Sequence, residues 1–180
     1  MNLMINYENL KEANEPFELE LIQAATEVIK SGYYILGSQV DNFEKKFAEY
    51  LGVNYVSGVG SGLDAISLAF EALSLPDSSE VIVPANTYIA TIFAVIKAGL
   101  KPIFVEPDIE TYVMSPDCIE KHISSNTKAI LPVHLSGLPC DMDKIMEIAN
   151  KNKLYVVEDC AQAHGAISGR SHVGTTGDFG

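Results

Sequence analysis

The sequence predicts an α/β protein: a helical arm over residues 1–52, then residues 53–180 as a domain with a mainly parallel sheet and helices on both faces. Three observations carry this. From Asn54 onward, short apolar runs alternate with stretches of helical periodicity. A glycine-rich turn, SGVGSG (57–62), joins the first such run to the first such helix. The run LYVV (154–157), rich in β-branched residues and bounded by polar ones, reads as a strand buried on both faces.

The elements follow in order. Leu19, Ile22, Ala25 and Ile29 recur at near-helical spacing over 16–31, and Gly32 supplies the stop. Phe43, Phe47 and Leu51 mark a second helix, closed by Gly52. Between them GYYILG (32–37) is an apolar loop bracketed by glycines, of the kind that covers another surface, here a partner subunit. Strands are expected at 55–59, 80–84, 101–105, 127–133 and 154–158. Helices are expected at 62–74, 87–98, 116–123 and 141–151. The last twelve residues, GRSHVGTTGDFG, are glycine-rich and predict no helix or strand; a domain that finishes on such a loop reads as incomplete.

Composition excludes several classes. The chain has 180 residues, 47% hydrophobic and 20% charged, as in ordinary globular domains. Its net charge is −12, and Arg170 is its one arginine. The absence of a basic cluster argues against a nucleic-acid partner. Acidity of this size still permits an anionic small ligand held by local dipoles. Cys118, Cys140 and Cys160 show no CxxC or metal-ligand spacing, so reduced thiols are expected. No apolar run approaches the ~18 residues of a membrane span, and the N-terminus MNLMINYENLKEANEPFE lacks the apolar segment of a signal peptide. The expectation is a cytoplasmic protein.

Candidate chemistry gathers at the strand ends. In open α/β sheets ligands bind beyond the carboxyl ends of the strands. Asp159 falls there, after Glu158 and ahead of Gln162, His164 and Gly165. A buried, unpaired carboxylate is costly, so a cationic partner is expected. Asp is also a favoured helix N-cap, and on this stretch alone both readings stand. The SGVGSG turn leads into a helix N-terminus, where free amides and the helix dipole favour phosphate. A plain tight turn explains the same glycines. It is not the dinucleotide fingerprint, because Leu63 stands where GxGxxG needs glycine, and GxxxxGK[ST] does not occur. In VPANTYIATI (83–92), Asn86 or Thr87 is placed to cap a helix, with Tyr88 in its first turn. Tyr88 reads as core or rim packing or, paired with Asp159, as one side of a slot for a flat cationic ring. His134, just past another strand end, reads first as a structural histidine. No HExxH or Cys/His cluster points to a metal, and no GxSxG elbow to a serine hydrolase.

A phosphate turn, an aromatic after a strand, and a strand-end Asp with Gln three residues on resemble the order in fold-type I pyridoxal phosphate enzymes. The segments SGYYILGSQVDNFEKKFAEYLGV, GSGLDA, VIVPANTYIATIFAV, PIFVEPDIETY, KAILPVHLSG and VVEDCAQAHGA resemble the DegT/DnrJ/EryC1/StrS family of sugar aminotransferases across nearly the whole chain. VPANTYIAT with EDCAQAHGA is most similar to members acting on nucleotide-linked 3-keto-6-deoxyhexoses. The resemblance implies a fold-type I large domain. It implies pyridoxal 5'-phosphate held at its phosphate by the backbone around Ser61, Gly62 and Leu63. Tyr88 would stack on the ring, Gln162 would contact the ring hydroxyl, and Asp159 would act in catalysis by pairing with the protonated ring nitrogen, keeping the ring an electron sink. Ser61 stands where the family usually has Asn. It further implies amino transfer from glutamate to a nucleotide-linked keto-sugar by a homodimer.

In that family the Schiff-base lysine follows a Ser-Phe segment shortly after a GDFG-like stretch. It is therefore expected beyond Gly180, as is the small C-terminal domain; the last lysine here is Lys153. Residues 1–180 are expected to be a cofactor-binding part that does not transaminate by itself. Relatives with histidine at the lysine position are sugar dehydratases, and others are linked to regulation. Both alternatives stay open, because the deciding residue lies past Gly180.

Overall fold

The computed structural model describes residues 8–180, so the first seven residues of the predicted arm and of its N-terminal motif lie outside the described residues. The chain divides into two compact units, Met1–Ser57 and Gly58–Gly180.

The first unit is helical. Helix α1 (Leu10–Asn14) is capped by Asn9, whose side chain accepts the Glu12 N–H. A 3-10 turn (Glu15–Phe17) carries Pro16, and α2 (Glu18–Ser31) follows. Helix α3 (Ser38–Leu51) has Phe43, Phe47 and Tyr50 stacked along one side. Both long helices stop at a left-handed glycine, Gly32 at φ +70° and Gly52 at φ +71°, a conformation any side chain would strain. The loop between them leaves Tyr33, Tyr34, Ile35 and Leu36 largely exposed.

The second unit is built on a sheet. It begins with α4 (Gly62–Leu73) and continues through β1 (Glu80–Pro84), α5 (Ile89–Lys97) and β2 (Lys101–Val105). Helix α6 (Pro116–His122), β3 (Thr127–Ile130), α7 (Met142–Asn152) and β4 (Tyr155–Val156) complete the alternation. The strands lie in the order β2-β1-β3-β4, and every neighbouring pair is parallel. Beyond Ile130 the β3 ladder is interrupted at Pro132, which has no N–H to donate, and resumes where Val133 bridges Asp159.

Successive strand residues face opposite sides, and two cores result. Val81, Val83, Ala129, Leu131 and Val157 pack with α4 and α5 through Ile66, Phe70, Ile92 and Val95. Ile82, Ile130 and Val156 pack with α6 and α7 through Ile119, Ile145 and Ile148. Helices therefore cover both faces, as the sequence predicts.

Two expectations need correction. Residues 55–59 form no strand: Tyr55 is 91% exposed, and no ladder partner lies beside this run among the described residues. A short apolar run cannot make a strand without a neighbour to share its backbone hydrogen bonds. The glycine-rich tail, in contrast, is not irregular throughout. Strand β5 (Ile167–Ser168) pairs with β6 (Ser171–His172) in an antiparallel hairpin, whose two-residue turn opens at Gly169 with φ +61°. Further on, Phe179 bridges Val157 in the parallel sense, and Asp178 and Phe179 both donate N–H groups to the Val156 carbonyl. The tail thus runs alongside β4. Gly177 makes that approach possible: a Cβ there would lie 2.7 Å from the Val156 carbonyl oxygen.

Candidate functional site

The carboxyl end of β4 carries two adjacent carboxylates that the pleat sends in opposite directions. Glu158 follows Val156 toward the α6/α7 side, and Asp159 follows Val157 toward the α4/α5 side. Their surroundings separate their roles.

Glu158 is 2% exposed and fully bonded. Its Oε2 accepts from His134 Nε2 at 3.0 Å and from the Gly174 amide at 2.9 Å. Its Oε1 accepts from the amides of Thr176 at 2.9 Å and Gly177 at 2.7 Å. Burial by itself pushes this carboxyl upward, but the hydrogen bonds from His134, Gly177, Gly174 and Thr176 together hold it below the ordinary glutamate value of 4.5. His134 is wholly buried, and its Nδ1 accepts the Cys140 amide at 3.0 Å. Its proton therefore sits on Nε2, facing Glu158. This is the structural histidine that the sequence favoured.

Asp159 is half-buried, and no helix follows it, so it is not a helix N-cap. Its backbone is held by Pro132 and His134: its N–H donates to the Pro132 carbonyl at 2.9 Å, and its carbonyl accepts the His134 N–H at 3.1 Å. Its Oδ1 accepts the Ala161 amide at 3.2 Å. Its Oδ2 accepts from Thr91 Oγ1 at 2.8 Å, across 68 positions of sequence. Among the described residues no Lys, Arg or His side chain bonds it; its side-chain partner is the Thr91 hydroxyl.

Thr91 lies on the first turn of α5 and donates its N–H to the Tyr88 carbonyl at 3.1 Å. Tyr88 is the N-cap residue, with extended backbone, so the helix begins one position later than it would with Tyr88 in its first turn. The capping expected from Asn86 or Thr87 is not made. Asn86 Nδ2 donates to the Tyr112 carbonyl, and Thr87 Oγ1 bonds Thr91 Oγ1 at 2.8 Å. The Tyr88 side chain is 71% exposed, which sets it apart from a core aromatic.

Gln162 is held from the β3 end: its Oε1 accepts the Ser136 amide at 2.7 Å. Because that partner is a donor, the bonded atom is the amide oxygen, and Nε2 remains to donate elsewhere.

The start of α4 is a separate patch. Ser61 is its N-cap, its hydroxyl accepting the Asp64 amide at 3.2 Å and donating to Asp64 Oδ2 at 2.9 Å. The Gly62 and Leu63 amides, at the first two helical positions, have no acceptor within the helix. Lys97 bonds Asp64 at 2.8 Å, and the Lys97 ammonium and Ser61 hydroxyl hold the Asp64 carboxyl below its ordinary value. Ser67 Oγ also donates to the Ala94 carbonyl at 3.4 Å, a second tie between α4 and α5. Thr91 bonds Asp159 through its hydroxyl and the Tyr88 carbonyl through its N–H, and Gln162 is held at the neighbouring strand end. No hydrogen bond joins Ser61, Gly62 or Leu63 to that group.

His134, Glu158 and Cys160 lie close enough to be weighed as a metal centre. The lone pair at His134 Nδ1 and the carboxylate of Glu158 are already engaged by protein donors, so this set does not fit one. All three cysteines are free thiols; burial pushes the Cys140 thiol up to about 11 and that of Cys160 higher still, which keeps them protonated and unreactive. A cavity of ≈ 330 Å³ in the helical unit, lined by residues including Glu27, Tyr33 and Ser38, contains none of the candidate residues.

The family model for the DegT/DnrJ/EryC1/StrS aminotransferase family matches residues 17–180. The chain belongs to this family. The dTDP-3-amino-3,6-dideoxy-alpha-D-galactopyranose transaminase of Aneurinibacillus thermoaerophilus is 51% identical over 175 residues, which are 97% of this chain and 48% of that protein. Among solved structures, S. venezuelae DesV superposes with a TM-score of 0.91 at 42% identity, over 94% of this chain and 46% of that one. The E. coli GDP-4-keto-6-deoxy-D-mannose-3-dehydratase with bound hydrated PLP gives 0.81 at 31% identity, over 87% and 42%. The chain thus spans about half the length of the curated relatives it matches. Its parallel sheet, covered by helices on both faces, is that of fold-type I aminotransferases.

Sequence reasoning missed two residues that organise this site, Thr91 and Glu158. Glu158 was visible beside Asp159, but strand parity alone does not say which carboxylate is enclosed. Its lowered pKa makes a prediction. Because the folded value lies below the unfolded one, the contribution of Glu158 to stability is whole above about 4.5 and is lost as pH falls through the folded value. Glu158→Gln should destabilise the protein at neutral pH and flatten the acid side of its pH–stability profile in urea unfolding. Equal acid slopes for both proteins would show that Glu158 is not the group that titrates.

Proposed function

We propose that this chain is the cofactor-binding part of a pyridoxal phosphate-dependent aminotransferase that moves an amino group from glutamate to a nucleotide-linked keto-sugar. The observation that carries the reading is the bonded group Tyr88–Thr91–Asp159, an exposed aromatic face and an oriented carboxylate built by one turn of α5 against one strand end. Its donors suit the cofactor. Asp159 Oδ1 and Oδ2 each receive one protein hydrogen bond, and each retains accepting capacity for a ring N–H. Gln162 keeps Nε2 as a donor for an oxygen on the ring. The Gly62 and Leu63 amides, at the positive end of the α4 dipole, suit a phosphate, with the Ser61 hydroxyl beside them.

When bound, pyridoxal phosphate supplies an electron sink, deepened when its ring nitrogen is protonated. The chain's own residues prepare for it. Asp159 holds the proton at the ring nitrogen by offering it a carboxylate. Tyr88 packs its face on the ring and excludes water from that side. Gln162 fixes the ring's rotation by donating to its hydroxyl oxygen. The dTDP-sugar transaminase at 51% identity supports amino transfer. The dehydratase at 31% keeps the alternative of a sugar dehydratase, in which the same residues would bind the same cofactor.

The homodimer belongs to this proposal. It is supported by the exposed run Tyr33, Tyr34, Ile35 and Leu36, too much apolar surface to leave in water. A cytoplasmic location is supported by the three free thiols, and no helix among the described residues is long and apolar enough to cross a membrane.

The deciding experiment incubates the intact gene product with glutamate and a nucleotide-linked 3-keto-6-deoxyhexose and identifies the product by mass spectrometry. An amino sugar is expected; a deoxygenated ketone would establish the dehydratase, and no turnover with bound cofactor would favour a regulatory module. Asp159→Asn should leave circular dichroism native-like and cut turnover on the order of a hundredfold or more, the scale of losing one electrostatic partner of the reacting group. Near-normal turnover would remove Asp159 from this role. Tyr88→Ala should weaken binding of pyridoxamine 5'-phosphate by about 0.5–1.5 kcal/mol with little change in melting temperature, since the ring is exposed. A large melting shift with unchanged affinity would make Tyr88 a packing residue. For the dimer, sedimentation of the intact gene product as a stable monomer at micromolar concentration is the contrary result.

A further inference from the structure

The Thr91 hydroxyl has one proton, and that proton goes to Asp159 Oδ2 at 2.8 Å. The bond between Thr87 and Thr91, also 2.8 Å, therefore has Thr87 as its donor. The two hydroxyls form a directed chain, Thr87 to Thr91 to Asp159, ending on the carboxylate. Thr91 is 2% exposed, and its β-branched side chain is stiff at χ1. A threonine in a helix can bond back to a carbonyl in the preceding turn. Here the Oγ1 instead reaches out of its own helix to a strand end. The second carboxylate oxygen is held by the Ala161 amide at 3.2 Å, so Asp159 is gripped at both oxygens and its plane is fixed. Thr91 is also bonded through its backbone to Tyr88. One turn of α5 thus holds the Tyr88 backbone through the Thr91 amide and the Asp159 carboxylate through the Thr91 hydroxyl.

We propose that Thr91, supported by Thr87, is a positioning residue. It orients the Asp159 carboxylate toward the ring nitrogen of the cofactor and keeps it an acceptor, touching neither cofactor nor substrate itself. The inference rests on the reading of Asp159 given above. A purely structural Thr91 would anchor α5 to the sheet end and nothing more, and the two roles separate by experiment.

The probes are pyridoxamine 5'-phosphate, which has no aldehyde to react with stray lysines, and its analogue with CH in place of the ring nitrogen. Binding to the intact gene product is measured by calorimetry, and ¹⁵N NMR of ring-labelled pyridoxamine phosphate reports protonation of the nitrogen. Wild-type protein is expected to prefer the nitrogen-containing probe and to show a protonated ring at neutral pH. Thr91→Val keeps the shape and removes the hydroxyl. It should lose about tenfold in affinity for pyridoxamine phosphate, roughly one hydrogen bond to a charged group, and shift the ¹⁵N signal toward the unprotonated value. Its affinity for the CH analogue should be unchanged. Thr91→Ser, which restores the hydroxyl, should recover both readouts.

Equal loss for both probes, or an unshifted ¹⁵N signal in Thr91→Val, would make Thr91 a structural anchor and overturn the proposal. If wild-type protein does not distinguish the probes, the Asp159 reading itself fails, and the proposal with it. Should Thr91→Val not fold, Thr87→Val decides. A smaller ¹⁵N shift in the same direction, with the melting temperature held, supports the directed chain; an unchanged signal overturns it.

Discussion

A buried carboxylate must be bonded on every side or it will not stay buried as an anion, and Glu158 is the point where this chain meets that constraint. Four donors converge on it: one imidazole from the end of β3 and three backbone amides from the glycine-rich tail. Removing any one leaves a polar group unsatisfied in the interior. The tail is thereby folded back onto β4, where Phe179 takes the place of a further parallel strand beside Val157. His134 is fixed in turn by the Cys140 amide, which ties the start of α7 to the same centre. The next residue in the chain is Asp159. Its backbone is bonded to Pro132 and His134 on the neighbouring strand, so the enclosed carboxylate fixes the position from which the half-buried one projects.

The pleat turns this adjacency into a division of labour. Because alternate residues face opposite layers, a structural carboxylate and a site carboxylate occupy consecutive positions without competing for partners. Glu158 is spent among α6/α7-side groups, and Asp159 faces α5, where a hydroxyl meets it. Two adjacent carboxylates on one face would instead have repelled each other. Thr91 suits its place for the same reason that a cation would not. A lysine there would neutralise Asp159 and occupy it, whereas a hydroxyl orients it and leaves its charge free for the ring nitrogen of the proposed cofactor.

Much of this was legible in the sequence, and the boundary has physical causes. The alternation of runs predicts the sheet and its helices because the inner strands β1 and β3 are buried on both faces, which leaves a continuous apolar run at 81–84. Gly32 and Gly52 announced the ends of α2 and α3 because left-handed backbone is needed there. Residues 55–59 form no strand because a short apolar run records side-chain preference and carries no information on whether a neighbouring strand is present. The β5–β6 hairpin was missed because two-residue strands are too short to show a period. The Thr91–Asp159 bond spans 68 positions, and nothing local marks Thr91 as anything but a helix threonine. The cation expected for Asp159 follows from burial cost; within the protein its two oxygens meet only neutral donors, the Thr91 hydroxyl and the Ala161 amide.

Net charge sets a last constraint on how the site can work. A chain at −12 repels anions at long range, yet the proposed cofactor and substrate both carry phosphate. Attraction therefore has to be local and built from backbone. The α4 terminus offers the Gly62 and Leu63 amides, but Asp64 stands in the same turn and its charge opposes a phosphate there. Lys97 offsets that charge from the far end of α5, at 2.8 Å. With Asp64 paired, the dipole and the two amides remain as the attractive elements. The Lys97–Asp64 pair is largely solvated, so as a stabiliser of the fold it is worth little. Its consequence lies in the field at the start of α4, where it offsets the charge of Asp64 beside the proposed phosphate position.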